Sequence, residues 1–260
     1  MTDLIGTKLE DGVGIVTLNA PERRNAISPE MRSALLEALR SLVRSNECRV
    51  IILNGAGGHF CSGGDMRNKE IDKGPDSLRT YTNALPLQDI VRIIATGPKP
   101  VIAAVEGAAS GAGFALAAAC DHVIAAHSAK FSASFSKVGL LPDAGILWSL
   151  PRRVGAVKAN KILLTAAVVD AAKALDLGLA DELAPDGKAL ELAIERAIEF
   201  SSVAPLPLAA IRSIGSRAST DLESVLAAER EMQPLLALSS DYAEGRAAFI
   251  ARRPARYTGR

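Results

Sequence analysis

Three rhythms of apolar and polar positions run along the 260 residues. The first has a period of two. "IGTKLEDGVGIVTLNAP" reads as two strands joined at Asp11-Gly12, a hairpin signal. The second has helical spacing. In "ISPEMRSALLEALRSLVRS" the apolar Met31, Leu35, Ala38, Leu39, Leu42 and Val43 form one face. Ser28 is placed to cap that helix, Pro29 suits its first position and Glu30 favours its first turn. The third is the short continuous apolar run of a buried strand: "RVIILNG", "KPVIAAVEG" and "HVIAAH". Between these lie a predicted helix over 77–96 with a break or kink at Pro86, and a helix of small residues in "GAGFALAAACD". After about residue 150 the pattern predicts helices over 155–165, 170–177, 188–202, 205–218, 221–238 and 241–252. Strands alternate with helices early and helices dominate late, which predicts an α/β layered fold. No low-complexity linker or clear repeat interrupts the chain.

Composition narrows the function classes. Hydrophobic residues make up 48% of the chain, enough for a substantial core. The net charge of +1 supplies no field for nucleic acid or a membrane surface. Cys48, Cys61 and Cys120 are odd in number and include no C-x-x-C pair, so neither a disulfide framework nor a zinc site is expected. The opening residues lack a basic start and apolar run, so no signal peptide is expected. The longest apolar region, 100–126, carries Glu106 and Asp121 and reads as strand plus helix rather than a membrane span. A reduced, cytoplasmic setting is the expectation.

Three stretches can carry chemistry. "HFCSGGDM" (59–66) follows a strand, and Gly63-Gly64 permit a tight turn with exposed backbone N–H groups. It is either a surface turn or an anion cradle. His59 and Cys61 make only a weak metal signal, because no further ligands stand at suitable spacing. "VEGAASGAGFALAAAC" (105–120) is a strand end, a glycine turn and a helix start, whose free N–H groups favour negative charge. Its glycines serve close packing, an anion, or a dinucleotide. Gly107, Gly111 and Gly113 give a G-x-x-x-G-x-G run like the cofactor loop of short-chain dehydrogenases. Against the last, the run lies far from the N-terminus, and Tyr81, Tyr242 and Tyr257 have no lysine four residues on. "KVGLLPDAGILW" (137–148) sets Asp143 among apolar residues. Asp143 either caps a helix through Ile146, Leu147 and Trp148, or is a desolvated base with its pKa raised above ~3.9.

Taken together these stretches resemble the crotonase superfamily, the enoyl-CoA hydratase/isomerase family. The resemblance begins at "IVTLNAPERRNAIS" and continues through "VIILNGAGGHFCSGGDM", "KPVIAAVEGAASGAGFALAAACDHVIA" and "FSKVGLLPDAGILWSLPRRVG" to "EGRAAFIARRPARYTG". It implies a spiral of ββα turns over 1–200 holding the acyl-CoA site, and a helical trimerisation region over 201–260. It implies homotrimers, with a dimer of trimers also expected in the family, and acyl-coenzyme A thioesters as substrates. No separate cofactor and no metal are implied, since coenzyme A is part of the substrate. It also implies two backbone N–H donors for the thioester oxygen, which match to Gly64 and Ala112.

The same resemblance separates this chain from typical hydratases. Their two glutamates match to Ala115 and Phe135 here, which neither bind water nor move protons. "GLLPDAG" resembles instead the Asp-bearing loop of the epoxyphenylacetyl-CoA isomerase group, implying Asp143 as the single acid/base. The coenzyme A path is implied for Arg24, Ala26, Ser62, Asp65 and Met66, with Arg24 a phosphate partner or a plain surface arginine. Phe114, Phe135, Leu140 and Trp148 either shape the acyl pocket or pack in the core. An isomerase that moves a double bond, or opens a ring epoxide, is the expectation. An unusual hydratase and a non-catalytic acyl-CoA-binding protein stay open. An aspartate nucleophile, as in aroyl-CoA dehalogenases, would need a histidine base, and His59, His122 and His127 do not match its place.

Overall fold

The computed structural model describes residues 4–67, 77–217 and 222–260. Strands β1 (Ile5–Glu10) and β2 (Val13–Leu18) form the predicted hairpin. Asp11 and Gly12 both take positive φ, 50° and 82°, the two-residue turn whose twist suits flanking strands. Helix α1 (Pro29–Arg44) begins as expected: the Ser28 hydroxyl accepts the Met31 N–H at 3.2 Å. Strand β3 (Val50–Gly55), helix α2 (Ser77–Thr96), strand β4 (Val101–Val105), strand β5 (Ala108–Ser110), helix α3 (Ala112–Ala119), and strands β6 (His122–Ala126) and β7 (Lys130–Ser132) follow. Then come α4 (Ile146–Val154), α5 (Ala156–Leu164), β8 (Val168–Asp170), α6 (Ala171–Leu177), β9 (Glu182–Ala184), α7 (Ala189–Ser201), α8 (Pro205–Arg217), α9 (Leu222–Ala237) and α10 (Ser240–Ala251).

A six-stranded sheet of order β1-β2-β3-β4-β6-β9 is parallel except for the β1–β2 pair. A smaller sheet, β5-β7-β8, stands beside it. The central strands are buried on both faces, which is why they read as unbroken apolar runs. Ile51, Leu53, Val101, Ala103 and Val105 face the main core with α1 to α4. Val50, Ile52, Ile102, Ala104 and Ile124 face the opposite way, onto Ala189, Ala193 and Ala197 of α7. Those alanines recur every fourth residue and let α7 lie close to the sheet.

Strands β5, β7, β8 and β9 were not foreseen. Each has three residues. A run that short carries no readable period, and pairing alone defines it. The described helical boundaries after residue 150 fall within about two residues of expectation, the ordinary disagreement at helix ends, while the expected ends at 218 and 221 lie outside the described residues; α2 runs through Pro86 without the expected break. No single helix among the described residues is long and apolar enough to cross a membrane.

One buried arginine ties the C-terminal helices to the core. The Arg212 guanidinium of α8 donates to the carbonyls of Ile94, Gly97 and Lys99, the last two just past the end of α2, and to Asp121 Oδ1 at 2.9 Å. It supplies the donors that carbonyls at a helix end lack. Arg212→Ala is expected to lower the unfolding free energy by about 3–5 kcal/mol, the range for breaking a buried ion pair. Urea titrations followed by circular dichroism would measure this, with faster amide exchange in α8.

Candidate active site

The site grows from two chain segments that touch through their backbones. Residues 60–64 leave β3 and run alongside the turn between β4 and α3. Phe60 N–H donates to Glu106 O at 2.8 Å, Cys61 N–H to Ala108 O at 2.9 Å, and Ser110 N–H to Cys61 O at 2.8 Å. Glycine makes this approach possible. A Cβ on Gly113 would stand 2.4 Å from the Cys61 carbonyl oxygen. A Cβ on Gly63, whose φ is +97°, would stand 2.8 Å from the Ser110 oxygen and 3.5 Å from the Ala112 nitrogen. Of the glycines that resembled a dinucleotide loop, Gly107 and Gly113 answer to close packing, a Cβ on Gly107 standing 2.4 Å from the Gly58 oxygen, and Gly111 to its positive φ of 51°.

Gly64 and Ala112 therefore lie on abutting turns. Ala112 is the first residue of α3, where N–H groups have no intrahelical acceptor. Neither its N–H nor that of Gly64 donates a hydrogen bond among the described residues. Gly64 is exposed, with open space where a Cβ would project. The Cys61 thiol beside them is sealed in the core; burial pushes its pKa up to about 12, so it supplies no nucleophile.

Asn25 pins the glycine-rich loop from the other side. Fully buried, its side chain accepts the Ala20 N–H at 2.9 Å and donates to the carbonyls of Ala56 (2.9 Å) and His59 (2.7 Å). Ile27 then pairs with the loop, its N–H reaching Gly63 O at 2.7 Å while Asp65 N–H returns to Ile27 O at 3.2 Å. The sequence reading passed over Asn25. Its positive φ of 56° and its polar type within an otherwise buried segment are the signals that point to it.

Asp143 lies in the loop ahead of α4, and the helix-cap alternative fails. Gly145, in the left-handed region at φ 73°, occupies the N-cap position of α4, and no side chain caps that helix. Asp143 contributes only its carbonyl, which accepts the Ile146 N–H at 3.2 Å. The expected shelter is only partial. Asp143 is exposed, and its carboxyl is only partly desolvated by neighbouring atoms. That desolvation raises its pKa above the ordinary carboxylate value, and the positive charge of Arg32 on α1 acts in the opposite direction.

The remaining residues divide. Arg24 is exposed at φ 50°, and its carbonyl accepts the Ser62 N–H at 2.9 Å. Ala26 is buried. The Ser62 hydroxyl donates to Arg23 O at 3.1 Å. Asp65 is a latch: its nearly buried carboxylate pairs with Arg23 at 3.0 Å and accepts the Arg67 N–H. Met66 is open to solvent. Phe135 is buried, its ring edge 4.0 Å from where a Gly111 Cβ would lie. Ala115, at the other glutamate position, is buried inside α3. Phe114 belongs to the core alternative, packed 5.6 Å from Phe131 between ring centres. Leu140 is exposed rather than enclosed. Trp148 lines a different cavity of about 500 Å³ with Ala95, Ala118 and Ile211, and Arg152 stacks over its ring at 3.9 Å. His59 Nδ1 accepts the Ala108 N–H, and His122 pairs with Glu182 at 2.9 Å, so both are engaged in holding strands and turns.

The comparisons with known proteins identify the family and the fold. A family model described as enoyl-CoA hydratase/isomerase matches residues 8–260. The chain is 38% identical to the 1,2-epoxyphenylacetyl-CoA isomerase of Escherichia coli K12, covering 100% of both. It is 37% identical to a probable enoyl-CoA hydratase of Rhodobacter capsulatus, covering 97% of each. A crystal structure of an enoyl-CoA hydratase from Polaromonas sp. JS666 superposes with a TM-score of 0.91 at 38% identity, over 97% of this chain and 99% of that one.

The raised pKa of Asp143 has a stability consequence with a definite sign. Folding holds the proton to higher pH than the unfolded chain does, so this group's contribution falls as pH rises from ~3.9 through the folded value. Asp143→Asn is therefore expected to be more stable than the wild type at neutral pH, with the difference closing towards about pH 4. Urea unfolding at both pH values checks it.

Proposed function

Because the chain belongs to the enoyl-CoA hydratase/isomerase family, we propose that this enzyme is an acyl-CoA isomerase in which Asp143 is the single acid and base. The observation that carries the reading is the pairing of a lone, partly desolvated carboxylate with apolar residues at both glutamate positions, Ala115 and Phe135. A carboxylate whose pKa is raised by desolvation is a stronger base than an ordinary one. An alanine and a phenylalanine cannot orient water. The 1,2-epoxyphenylacetyl-CoA isomerase relative supports an isomerase of this kind.

The chemistry follows in two proton transfers. With a 3-enoyl thioester bound, an Asp143 carboxylate oxygen takes a proton from the carbon alpha to the thioester. The C–H electron pair moves into the conjugated system and charge gathers on the thioester oxygen. The N–H groups of Gly64 and Ala112 accept that charge, each such donor being worth roughly 3–4 kcal/mol in a preorganised site. Protonated Asp143 returns the proton two carbons further on, and the double bond ends conjugated with the thioester. Opening of a ring epoxide uses the same stabilised oxygen. Arg24, Ala26, Ser62 and Met66 are assigned to the coenzyme A path, while Asp65 shapes it through Arg23. Phe135 walls the acyl side, Leu140 covers the mouth of the site, and coenzyme A enters as part of the substrate, with no separate cofactor and no metal.

A homotrimer fits the exposed apolar residues of the helical half, among them Val157, Leu164, Leu238, Phe249 and Ile250. A second copy laid over such residues removes them from water. The three reduced thiols suit a cytoplasmic setting.

Parallel assays separate the reactions. Conversion of a 3-enoyl-CoA to the 2-enoyl isomer is the expected result. Water addition to a 2-enoyl-CoA would make the enzyme a hydratase, and tight binding with neither reaction would make it a binding protein. Asp143→Ala is expected to lower kcat for isomerisation by about 10²–10⁴-fold while leaving KM within a few-fold. Full activity in that variant would place the base elsewhere.

A further inference from the structure

His59 supplies a side-chain acceptor where the backbone ladder of the site is interrupted. It is half-buried at the start of the segment that ends in Gly64. The Ala108 N–H, on β5, donates to its ring Nδ1 at 3.2 Å. Two residues on, Cys61 pairs with Ala109 as in a parallel sheet, through Cys61 N–H to Ala108 O and Ser110 N–H to Cys61 O. Continued regularly, that ladder would send the Ala108 N–H to the carbonyl of residue 59. The Asn25 side chain donates to that carbonyl instead, at 2.7 Å. The imidazole takes over as acceptor, and the Ala108 N–H stays paired.

The ring is closely seated. A Cβ on Gly107, whose φ is +49°, would stand 2.6 Å from His59 Nδ1. The ionisable groups on the segments packed around it are committed elsewhere or open to water. Both Glu106 carboxylate oxygens accept N–H groups at the start of α7, from Gly187 at 3.1 Å and Ala189 at 3.0 Å. Cys61 is sealed in the core, and Arg24 and Lys130 are exposed. From Ala108 the chain runs through β5 into Gly111 and Ala112, and from His59 it runs through Cys61 to Gly64. Among the described residues, the other hydrogen bonds that join these two stretches are made between main-chain atoms. The His59 bond is the one that a proton can open.

We propose that His59 is a positioning residue for the two amide donors: its neutral ring, with the proton on Nε2, holds Ala108 and thereby the spacing of Ala112 from Gly64. This rests on the reading of those amides as donors to the thioester oxygen. An imidazole nitrogen accepts a hydrogen bond only while it carries no proton. Protonation sets an Nδ1–H against the Ala108 N–H, two donors face each other, and the tie opens. A main-chain carbonyl in the same place would hold at any working pH. The spacing of the donors therefore follows the protonation of a group that is not itself one of them.

The test compares His59→Asn and His59→Leu with the wild type in the full-length protein. The two side chains have nearly the same shape, but only asparagine carries an acceptor on Cγ where histidine carries Nδ1. With a 3-enoyl-CoA, the leucine variant is expected to lose about tenfold in kcat with KM within about twofold, and the asparagine variant to stay within about twofold of the wild type in both. Nitrogen-15 NMR of the three histidines, with His59→Asn assigning the resonance, gives the pH at which His59 titrates. The wild-type kcat is expected to step down on the acid side at that pH, and the Ala112 and Gly64 amide resonances to shift with it. The asparagine variant is expected to lack that step and those shifts while keeping the step that Asp143 sets. A folded leucine variant with wild-type turnover and unshifted Ala112 and Gly64 amides overturns the inference. An asparagine variant as impaired as the leucine one at every pH overturns it too. If the leucine variant does not fold, the wild type against the asparagine variant across pH decides alone. If the wild type isomerises nothing, the reading of the reaction falls, and the amide shifts still decide whether His59 holds the two turns.

Discussion

The structure depends on how closely two stretches of backbone approach each other. The segment Phe60–Gly64 lies against the turn that opens α3, and hydrogen bonds from Cys61 and Ser110 hold the two together. At Gly113 the approach leaves no volume for even one methyl group. Everything in the candidate site descends from that contact. It brings two N–H groups that are unpaired among the described residues onto neighbouring turns, and it seals Cys61 away as structure. It also explains why glycine density peaks where the chain changes direction. Asn25 and Ile27 complete the arrangement by clamping the loop from the hairpin side, so the amides are held by main-chain pairing rather than by mobile side chains.

Around that rigid centre the charged groups are few. Asp65 is neutralised by Arg23 and serves to shape the loop. Arg212 is consumed in closing the end of α2. Asp143 is exposed in the loop ahead of α4, and its carboxylate has no side-chain hydrogen bond or ion pair among the described residues. Its environment works in two directions at once, apolar crowding against a distant guanidinium.

Much of the fold was legible in the sequence because most elements carry a long enough pattern. The Asp11-Gly12 turn, the Ser28 cap and the helices after residue 150 each leave a local signature several residues long. The three-residue strands left none, since their existence depends on partners distant in the chain. The site was legible unevenly. Glycine turns and a helix start mark two stretches with free N–H groups, and only the family resemblance points within them to Gly64 and Ala112. Side-chain surroundings could not: Trp148 and Phe114 have apolar neighbours in any reading, and only the packing places one over a separate cavity and the other in the core. The cap reading of Asp143 failed because Gly145 can take a left-handed conformation that ends the loop without help from a side chain.

A device made of peptide amides is invisible to ordinary mutagenesis. Replacing Gly64 or Ala112 changes what surrounds the amide and leaves the donor itself in place. A genetic screen of this protein would therefore register damage at packing glycines such as Gly113, and would leave the proposed role of the Gly64 and Ala112 amides untouched. Only chemical synthesis that exchanges an amide for an ester linkage at one of those peptide bonds would delete the donor, and with it reveal how much of the turnover the backbone itself supplies.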